Sequence, residues 1–207
     1  MAGIVVLIWL ALIGLAVGSF LGVVIRRGGT RTGVIRGRSF CPSCRKQLGW
    51  FELIPLLSFL LQKGKCRSCR RPLSFFYPAI ELITAVLFVA LGRAALAGIL
   101  PPPPFAPFAF GGPETFGGSL GWFGYYALFG VMAIIVSFYD FERQLIPQAP
   151  VRILIAVGIG AELAGLLQKG DISFLFPVVL VAGGAFVLFW SLWFFSRGRA
   201  MGRGDAD

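Results

Sequence analysis

The sequence predicts an all-α polytopic membrane protein with five transmembrane helices and a small cysteine-bearing domain after the first helix. Of its 207 residues, 57% are hydrophobic and only 14% are charged, and the mean hydropathy is +0.83. A soluble domain is closer to half apolar and a quarter charged. All four cysteines lie between the first two apolar stretches, and the chain contains no histidine. Hydropathy therefore predicts the fold class, and the cysteines predict the one domain outside the membrane.

Five apolar stretches are long enough to cross a bilayer, because about 20 apolar residues span the hydrocarbon core as a helix. They cover residues 4–25, 78–100, 121–139, 149–168 and 173–196. The first stretch has no basic region ahead of it, and Arg26 and Arg27 follow it directly. We therefore expect a retained helix with its N-terminus outside, and not a cleaved signal peptide.

Positive charge is concentrated after the first stretch. Twelve of the nineteen Lys and Arg residues lie between Arg26 and Arg71, where Glu52 is the only acid. Loops rich in Lys and Arg stay cytoplasmic, so this charge predicts topology and not nucleic-acid binding. Strict alternation of the five helices then brings Asp140 and Asp205 to the same, cytoplasmic, face of the membrane.

Two features lie within the predicted helices. Gly14, Gly18 and Gly22 recur at four-residue intervals and form a smooth stripe that lets another helix approach closely. Glu81 lies just inside the second stretch, and Glu162 lies deeper in the fourth. An acid inside a membrane is expected to be functional, to be paired or, near a helix end, to reach the interface.

The cysteines form two Cys-x-x-Cys pairs, "CPSC" and "CRSC", separated by 21 residues: Cys41, Cys44, Cys66 and Cys69. Two such pairs match a four-thiolate zinc site, in which each short turn presents two sulfurs to one tetrahedral ion. The alternatives are disulfides or a redox pair, which a reducing cytoplasm disfavours, and uncoordinated thiols. With all four ligands from the protein, the zinc is structural and not catalytic. The predicted domains are a helix at 1–25, the zinc-binding domain at 26–77 and a membrane core at 78–207.

The absence of histidine excludes Ser-His-Asp and Cys-His catalysis and leaves carboxylates as catalytic candidates. Asp140 ends the third stretch in "SFYDFERQLIP", and Asp205 follows the fifth in "GRGD". Gly202 and Gly204 allow tight backbone conformations beside Asp205. Two such acids could form an aspartic-protease dyad, in which one carboxylate accepts a proton from water and its protonated partner polarises the scissile carbonyl. An acid at a helix end beside an arginine, as Asp140 is near Arg143, is more usually an interfacial anchor.

These motifs, in this order, resemble those of the prepilin peptidases, or type IV leader peptidases, of bacterial inner membranes. The similar segments are "GSFLGVVIRR", "CPSC", "ELIPLLSFLLQKGKCRSC", "YPAIELITAVLF", "DFERQLIP" and the Gly-x-Gly-Asp signature in "GRGD". The sequence departs from the family at Gly22, where an Asn is usual, and at Gln148, where an Asp is usual. The family fold has about eight spans, so five predict a C-terminally truncated member.

The resemblance implies a membrane aspartic endopeptidase that cuts the leader from prepilins or pseudopilins at the cytoplasmic face of the plasma membrane. In many members the enzyme also methylates the new N-terminus, using S-adenosylmethionine. Asp140 and Asp205 would be catalytic, with Gly202 and Gly204 supporting them, and the four cysteines would hold zinc. The expected partners are the prepilin substrate and the lipid bilayer, and no nucleic acid. The alternatives are a non-enzymatic scaffold with a zinc-stabilised loop, an inactive fragment, and a stand-alone methyltransferase.

Overall fold

A computed structural model of the chain describes residues 2–28, 39–100, 116–144 and 147–169, together with single helical positions between 180 and 194. The chain divides into two compact units, Met1–Gly158 and Ile159–Asp207, and the packing described below is that of the first. The described elements are α1 (Ala2–Arg27), a 3-10 helix (Trp50–Leu53), α2 (Leu57–Leu61), α3 (Phe76–Leu96), α4 (Phe116–Arg143) and α5 (Gln148–Lys169). Within the described ranges the only β-type pairing is two isolated bridges.

Among the described residues, three helices are long and apolar enough to cross a membrane: Gly3–Arg27, Phe76–Leu96 and Gly118–Arg143, with mean hydropathies of 2.7, 2.0 and 1.7. They confirm the first three predicted spans. At most 33% of the most apolar window of each helix is buried, so most of its surface is free to face lipid. The fourth predicted span coincides with α5, whose Gln148–Gly160 portion is a shorter apolar helix. The fifth, at 173–196, lies almost entirely outside the described residues.

The second predicted span ends earlier than hydropathy indicates. α3 stops at Leu96, and not at residue 100, because Gly98 adopts a left-handed conformation with φ of 65°. The Gly98 amide donates to the Ala95 carbonyl at 3.1 Å, and the Ile99 amide donates to the Ala94 carbonyl at 3.0 Å. This pair of bonds is the Schellman motif, which satisfies the last carbonyls of a helix. A hydropathy window does not detect such a stop, since Ile99 and Leu100 are apolar.

The glycine stripe of α1 packs against α3 with the two backbones in direct contact. A Cβ placed on Gly14 would lie 2.7 Å from the Cα of Ala85, and one placed on Gly18 would lie 2.6 Å from the Cα of Glu81. Each four-residue step forward in α1 thus matches a four-residue step back in α3, so the two helices are antiparallel. The structure confirms the predicted close approach of a second helix.

α3 is also antiparallel to α4. Phe76, at the start of α3, contacts Phe138, near the end of α4, with ring centroids 5.7 Å apart, and Phe88 contacts Phe123 at 5.6 Å. The buried core joins all three helices at this end of the bundle: Leu21, Ile25, Phe76, Ile80, Ile134 and Ile135. The end of α1, the start of α3 and the end of α4 therefore lie together, and the cysteine-bearing segment connects the first two of them.

Candidate functional site

The two cysteine pairs adopt the same turn. In the first turn the Arg45 amide donates to the Cys41 carbonyl, and in the second the Arg70 amide donates to the Cys66 carbonyl, both at 2.9 Å. Arg45 and Arg70 each have a φ of 56°, in the left-handed region. Each turn is closed by an isolated bridge, Phe40 with Gln47 and Lys65 with Pro72. Two equivalent turns therefore present two sulfurs each.

The four sulfur atoms converge on one point. The ligand atoms of Cys41, Cys44, Cys66 and Cys69 all lie within 4.8 Å of one another, and the Cys41 and Cys69 sulfurs are 3.9 Å apart. Four sulfurs about 2.3 Å from a tetrahedral zinc ion lie about 3.8 Å apart, so the spacing fits such an ion. The cysteines are not joined as disulfides. The structure confirms that the cysteines cluster as a potential metal site.

The electrostatics of the cluster also fit a cation. Backbone N–H groups of Cys44 and Ser43 point at the Cys41 sulfur and lower the pKa of this thiol to about 6. The Arg71 amide acts in the same direction on Cys69, but burial and the three neighbouring sulfurs outweigh it and raise the pKa of Cys69 to about 11. The Cys41 thiol thus ionises readily, whereas burial and the neighbouring sulfurs oppose ionisation of Cys69. A divalent ion at the centre would remove that opposition.

The segment between the two cysteine turns is attached to α3 through Glu81. The Leu56 amide donates to the Glu81 carboxylate at 2.7 Å, and Leu56 has a φ of 58° at the N-cap of α2. Only 6% of Glu81 is exposed, and Gly18 of α1 packs on its Cα. Of the roles open to an acid inside a span, the structure shows pairing with a backbone amide. Glu81 therefore joins α1, α3 and the cysteine-bearing segment.

Asp140 lies in the last turn of α4, at the end of the bundle that carries the cysteine-bearing segment. Its side chain is exposed and has no hydrogen-bond or ion-pair partner among the described residues. The nearby cation is occupied elsewhere, because Arg143 donates to the Tyr139 hydroxyl at 3.3 Å and to the Arg26 carbonyl at 3.0 Å. The expected anchor pair between Asp140 and Arg143 is thus absent from the described residues.

The ends of α1 and α4 are held together beside Asp140. Arg26 donates to the Glu142 carboxylate at 3.1 Å. The Arg26 guanidinium also lies over the rings of Phe76 and Tyr77, with centroid distances of 4.8 and 5.0 Å. The second acid of this turn therefore takes the arginine, and Asp140 remains available to solvent.

The second predicted catalytic residue, Asp205, and the supporting residues Gly202 and Gly204 lie outside the described residues. Their placement relative to Asp140 stays a prediction.

Sequence reasoning missed two contacts: the role of Glu81 as an acceptor for Leu56, and the pairing of Arg26 with Glu142. Neither had a local signal, since each joins residues far apart in the chain. The equivalence of the two cysteine turns did have one, because Cys-x-Ser-Cys-Arg occurs in both.

Comparison with known families covers most of the chain. The model of the Bacterial Peptidase A24 N-terminal domain matches residues 12–94, and that of the Type IV leader peptidase family matches residues 127–207. The first match contains the four cysteines and Glu81, and the second contains Asp140 and Asp205. No solved structure matches the chain.

Curated relatives have the same name in several bacteria. The Prepilin leader peptidase/N-methyltransferase of Klebsiella pneumoniae is 33% identical over 95% of this chain and 79% of its own length. The proteins of that name from Bacillus subtilis (strain 168) and Myxococcus xanthus (strain DK1622) are 52% and 48% identical over 40% and 42% of this chain. The matched regions span only 34% and 26% of those two relatives.

Proposed function

The chain belongs to the type IV leader peptidase family, and from that premise we propose that it is a membrane aspartic endopeptidase acting on prepilins or pseudopilins. Asp140 and Asp205 are the proposed catalytic pair, and the leader is cut at the cytoplasmic face of the bacterial plasma membrane. The observation that carries the proposal is the position of Asp140. This acid is exposed and has no partner among the described residues, at the same end of three antiparallel helices as the basic, cysteine-bearing segment.

The proposed reaction requires two carboxylates in different protonation states. The ionised one takes a proton from water as the water oxygen attacks the scissile carbonyl carbon. The protonated one donates to the carbonyl oxygen, where negative charge develops. Collapse of the tetrahedral intermediate then breaks the C–N bond, and the new amine takes up a proton. Asp140 is suited to this role because Arg143 and Arg26, two cations at the same end of the bundle, bind Tyr139 and Glu142 instead.

The cysteine cluster is proposed to bind zinc as a structural ion. Four protein ligands leave no open coordination position for water or substrate, so the ion supplies cross-linking of the two turns and not catalysis. Zinc would order the segment between the two cysteine turns, and that segment is attached to the membrane helix α3 by the Leu56–Glu81 hydrogen bond.

The test is leader cleavage by the full chain in membranes, with a prepilin and a pseudopilin as substrates. Asp140→Asn and Asp205→Asn should each abolish cleavage while zinc content and thermal stability stay unchanged. Glu52→Gln is the control, since it also removes one carboxylate, keeps an oxygen for the Gly49 amide and lies outside the proposed catalytic pair, so it should retain cleavage. Cleavage by either Asn variant would refute the assignment.

A non-enzymatic scaffold makes the opposite prediction. In a scaffold, the two aspartate variants would still bind the partner protein, whereas Cys41→Ser would lose it. Comparing the two sets of variants in one preparation separates the peptidase from the scaffold.

N-methylation is a second candidate activity, favoured by the names of the relatives. The cleft beside the cysteines does not fit the methyl donor, because it is lined by Lys63, Lys65, Arg67 and Arg70 and S-adenosylmethionine carries a sulfonium cation. Transfer of a labelled methyl group to a cleaved pilin tests the activity, and Asp140→Asn with pre-cleaved substrate separates it from proteolysis.

A further inference from the structure

A cleft of about 510 Å³ opens beside the second cysteine turn, between the 3-10 helix, α2 and residues 65–70. One part of its lining is apolar: Phe51, Ile54, Leu57 and Leu61. Four exposed cations also line it: Lys63, Lys65, Arg67 and Arg70. The remaining lining residues are Glu52, Ser58, Gln62 and the buried Cys66. We refer to this cleft as the cationic cleft.

The cations of the cationic cleft are not paired with carboxylates of the described residues. None of its four cations forms an ion pair with a carboxylate in the part of the chain that the structure describes. The one acid in the lining, Glu52, accepts a hydrogen bond from the Gly49 amide at 2.8 Å and caps its own helix. Arg67 lies over the Phe51 ring, 5.4 Å from its centroid, so charge and apolar surface adjoin. The matching ligand is an anion attached to hydrocarbon.

The cationic cleft also adjoins the end of α3 at which that helix would enter a membrane. The Leu56 amide, at the N-cap of α2, is bonded to Glu81, and Glu81 lies five residues, or about 7 Å, beyond the start of the spanning helix α3. Phe59 of α2 contacts Phe75, directly before α3, with ring centroids 5.0 Å apart. These two contacts attach α2 to the first turns of α3.

The exposed apolar side chains of this region fit the same location. Leu61 is 75% exposed, Leu60 is 62% exposed and Phe75 is 74% exposed. Such large apolar residues beside Lys and Arg are typical of segments that lie at the boundary between headgroups and acyl chains. There the apolar groups leave water while the cations stay among phosphates.

We infer that the cationic cleft binds the headgroup of an anionic phospholipid, with α2 lying in the membrane interface. The lipid phosphate meets Arg67, Arg70 and the two lysines, and the acyl chains cover Leu57 and Leu61. This site is separate from the proposed peptidase dyad and does not depend on it. It anchors the zinc-bearing segment to the bilayer by a third attachment, besides α1 and α3.

The repeated cysteine turns provide a matched control. Arg45 and Arg70 occupy equivalent positions with the same φ of 56°, and both side chains are exposed, but only Arg70 lines the cationic cleft. The double variant Arg67→Glu, Arg70→Glu therefore changes the cleft, and Arg45→Glu, Lys46→Glu makes the same charge change in the turn that the cleft does not include.

The experiment places the photo-crosslinking amino acid benzoylphenylalanine at position 61 of the full chain. The protein is embedded in bilayer discs of phosphatidylcholine with a minority of phosphatidylglycerol, and adducts are identified by mass spectrometry. We expect phosphatidylglycerol adducts enriched about fivefold over the lipid composition, since each cation near an anionic surface strengthens association by about that factor. The Arg67→Glu, Arg70→Glu variant should lose the enrichment, and the Arg45→Glu, Lys46→Glu variant should keep it within about twofold.

Three results would overturn the inference: adducts in proportion to the lipid composition, crosslinks to this polypeptide in place of lipid, or loss of enrichment when inorganic phosphate is added at constant ionic strength. The last would identify a site for free phosphate. Zinc content shows whether each variant is folded. If the Arg67→Glu, Arg70→Glu protein lacks zinc, Lys63→Glu, which lies outside both cysteine turns, supplies the same test.

Discussion

Arg26 of α1 donates to the Glu142 carboxylate of α4 at 3.1 Å, and this contact joins the ends of two membrane-spanning helices directly beside Asp140. The pair is about one-third exposed, at 33% and 31% of the two side chains. Because Glu142 pairs with the arginine, the neighbouring Asp140 stays exposed, without an ion-pair partner among the described residues. Two acids in one helical turn thus have different surroundings, since Glu142 contacts α1 and Asp140 faces solvent.

We predict that the Arg26 side chain matters more for its ring contacts than for its ion pair. Glu142→Gln should lower the free energy of unfolding by less than about 1 kcal/mol, since exposed ion pairs are weak. Arg26→Ala should cost about 2 kcal/mol, because the guanidinium also covers Phe76 and Tyr77. Denaturant unfolding in detergent measures both. Equal losses in the two variants would contradict this order.

Glu81 is predicted to act as a hydrogen-bond acceptor and not through its charge. Glu81→Gln keeps an oxygen for the Leu56 amide and should change stability by less than about 1 kcal/mol. Glu81→Ala leaves the partly buried Leu56 N–H without its carboxylate partner and should cost about 1–2 kcal/mol. Limited proteolysis around Leu56, together with the melting temperature, reports the loss. If the glutamine variant is as unstable as the alanine variant, the carboxylate charge is what matters.

The glycine stripe provides a packing prediction with a built-in control. Gly18→Ala forces a methyl group against the α3 backbone, 2.6 Å from the Cα of Glu81, and should destabilise the protein by about 1–3 kcal/mol. Gly124→Ala in α4 meets nothing within 4 Å and should be neutral or stabilising by up to about 1 kcal/mol, since alanine favours helix. Melting temperatures of the two variants in one detergent decide the matter. A stable Gly18→Ala protein would show that α1 and α3 are not in backbone contact.

The cysteine cluster is predicted to hold one zinc ion per chain. Elemental analysis of the purified protein should find zinc, and Cys66→Ser should lower the content at least about tenfold, because removal of one of four thiolates opens the site. Ser68→Ala, an exposed residue in the same turn, should retain the ion. A chelator should lower the melting temperature of the unmodified chain and leave that of Cys66→Ser unchanged. A fully occupied Cys66→Ser protein would exclude the four-thiolate site.

The sequence by itself determined the features that follow from local composition and spacing. Long apolar runs predicted α1, α3 and α4 because a helix satisfies its own backbone in lipid. The four-residue glycine interval predicted a close helix contact, and the two Cys-x-x-Cys pairs predicted a cluster of four sulfurs. Each of these depends on residues close together in the chain.

Only the tertiary structure decided which distant groups meet. Hydropathy gave no reason for Glu81 to bind Leu56, for Arg26 to select Glu142 over Asp140, or for Arg70 but not Arg45 to line a cleft. These contacts depend on how each helix is rotated relative to its neighbours. That rotation is determined by the packing of many side chains together. The sequence pattern predicts which side of each helix is apolar. It does not predict which residues of a neighbouring helix that side contacts, because this depends on how the helices pack.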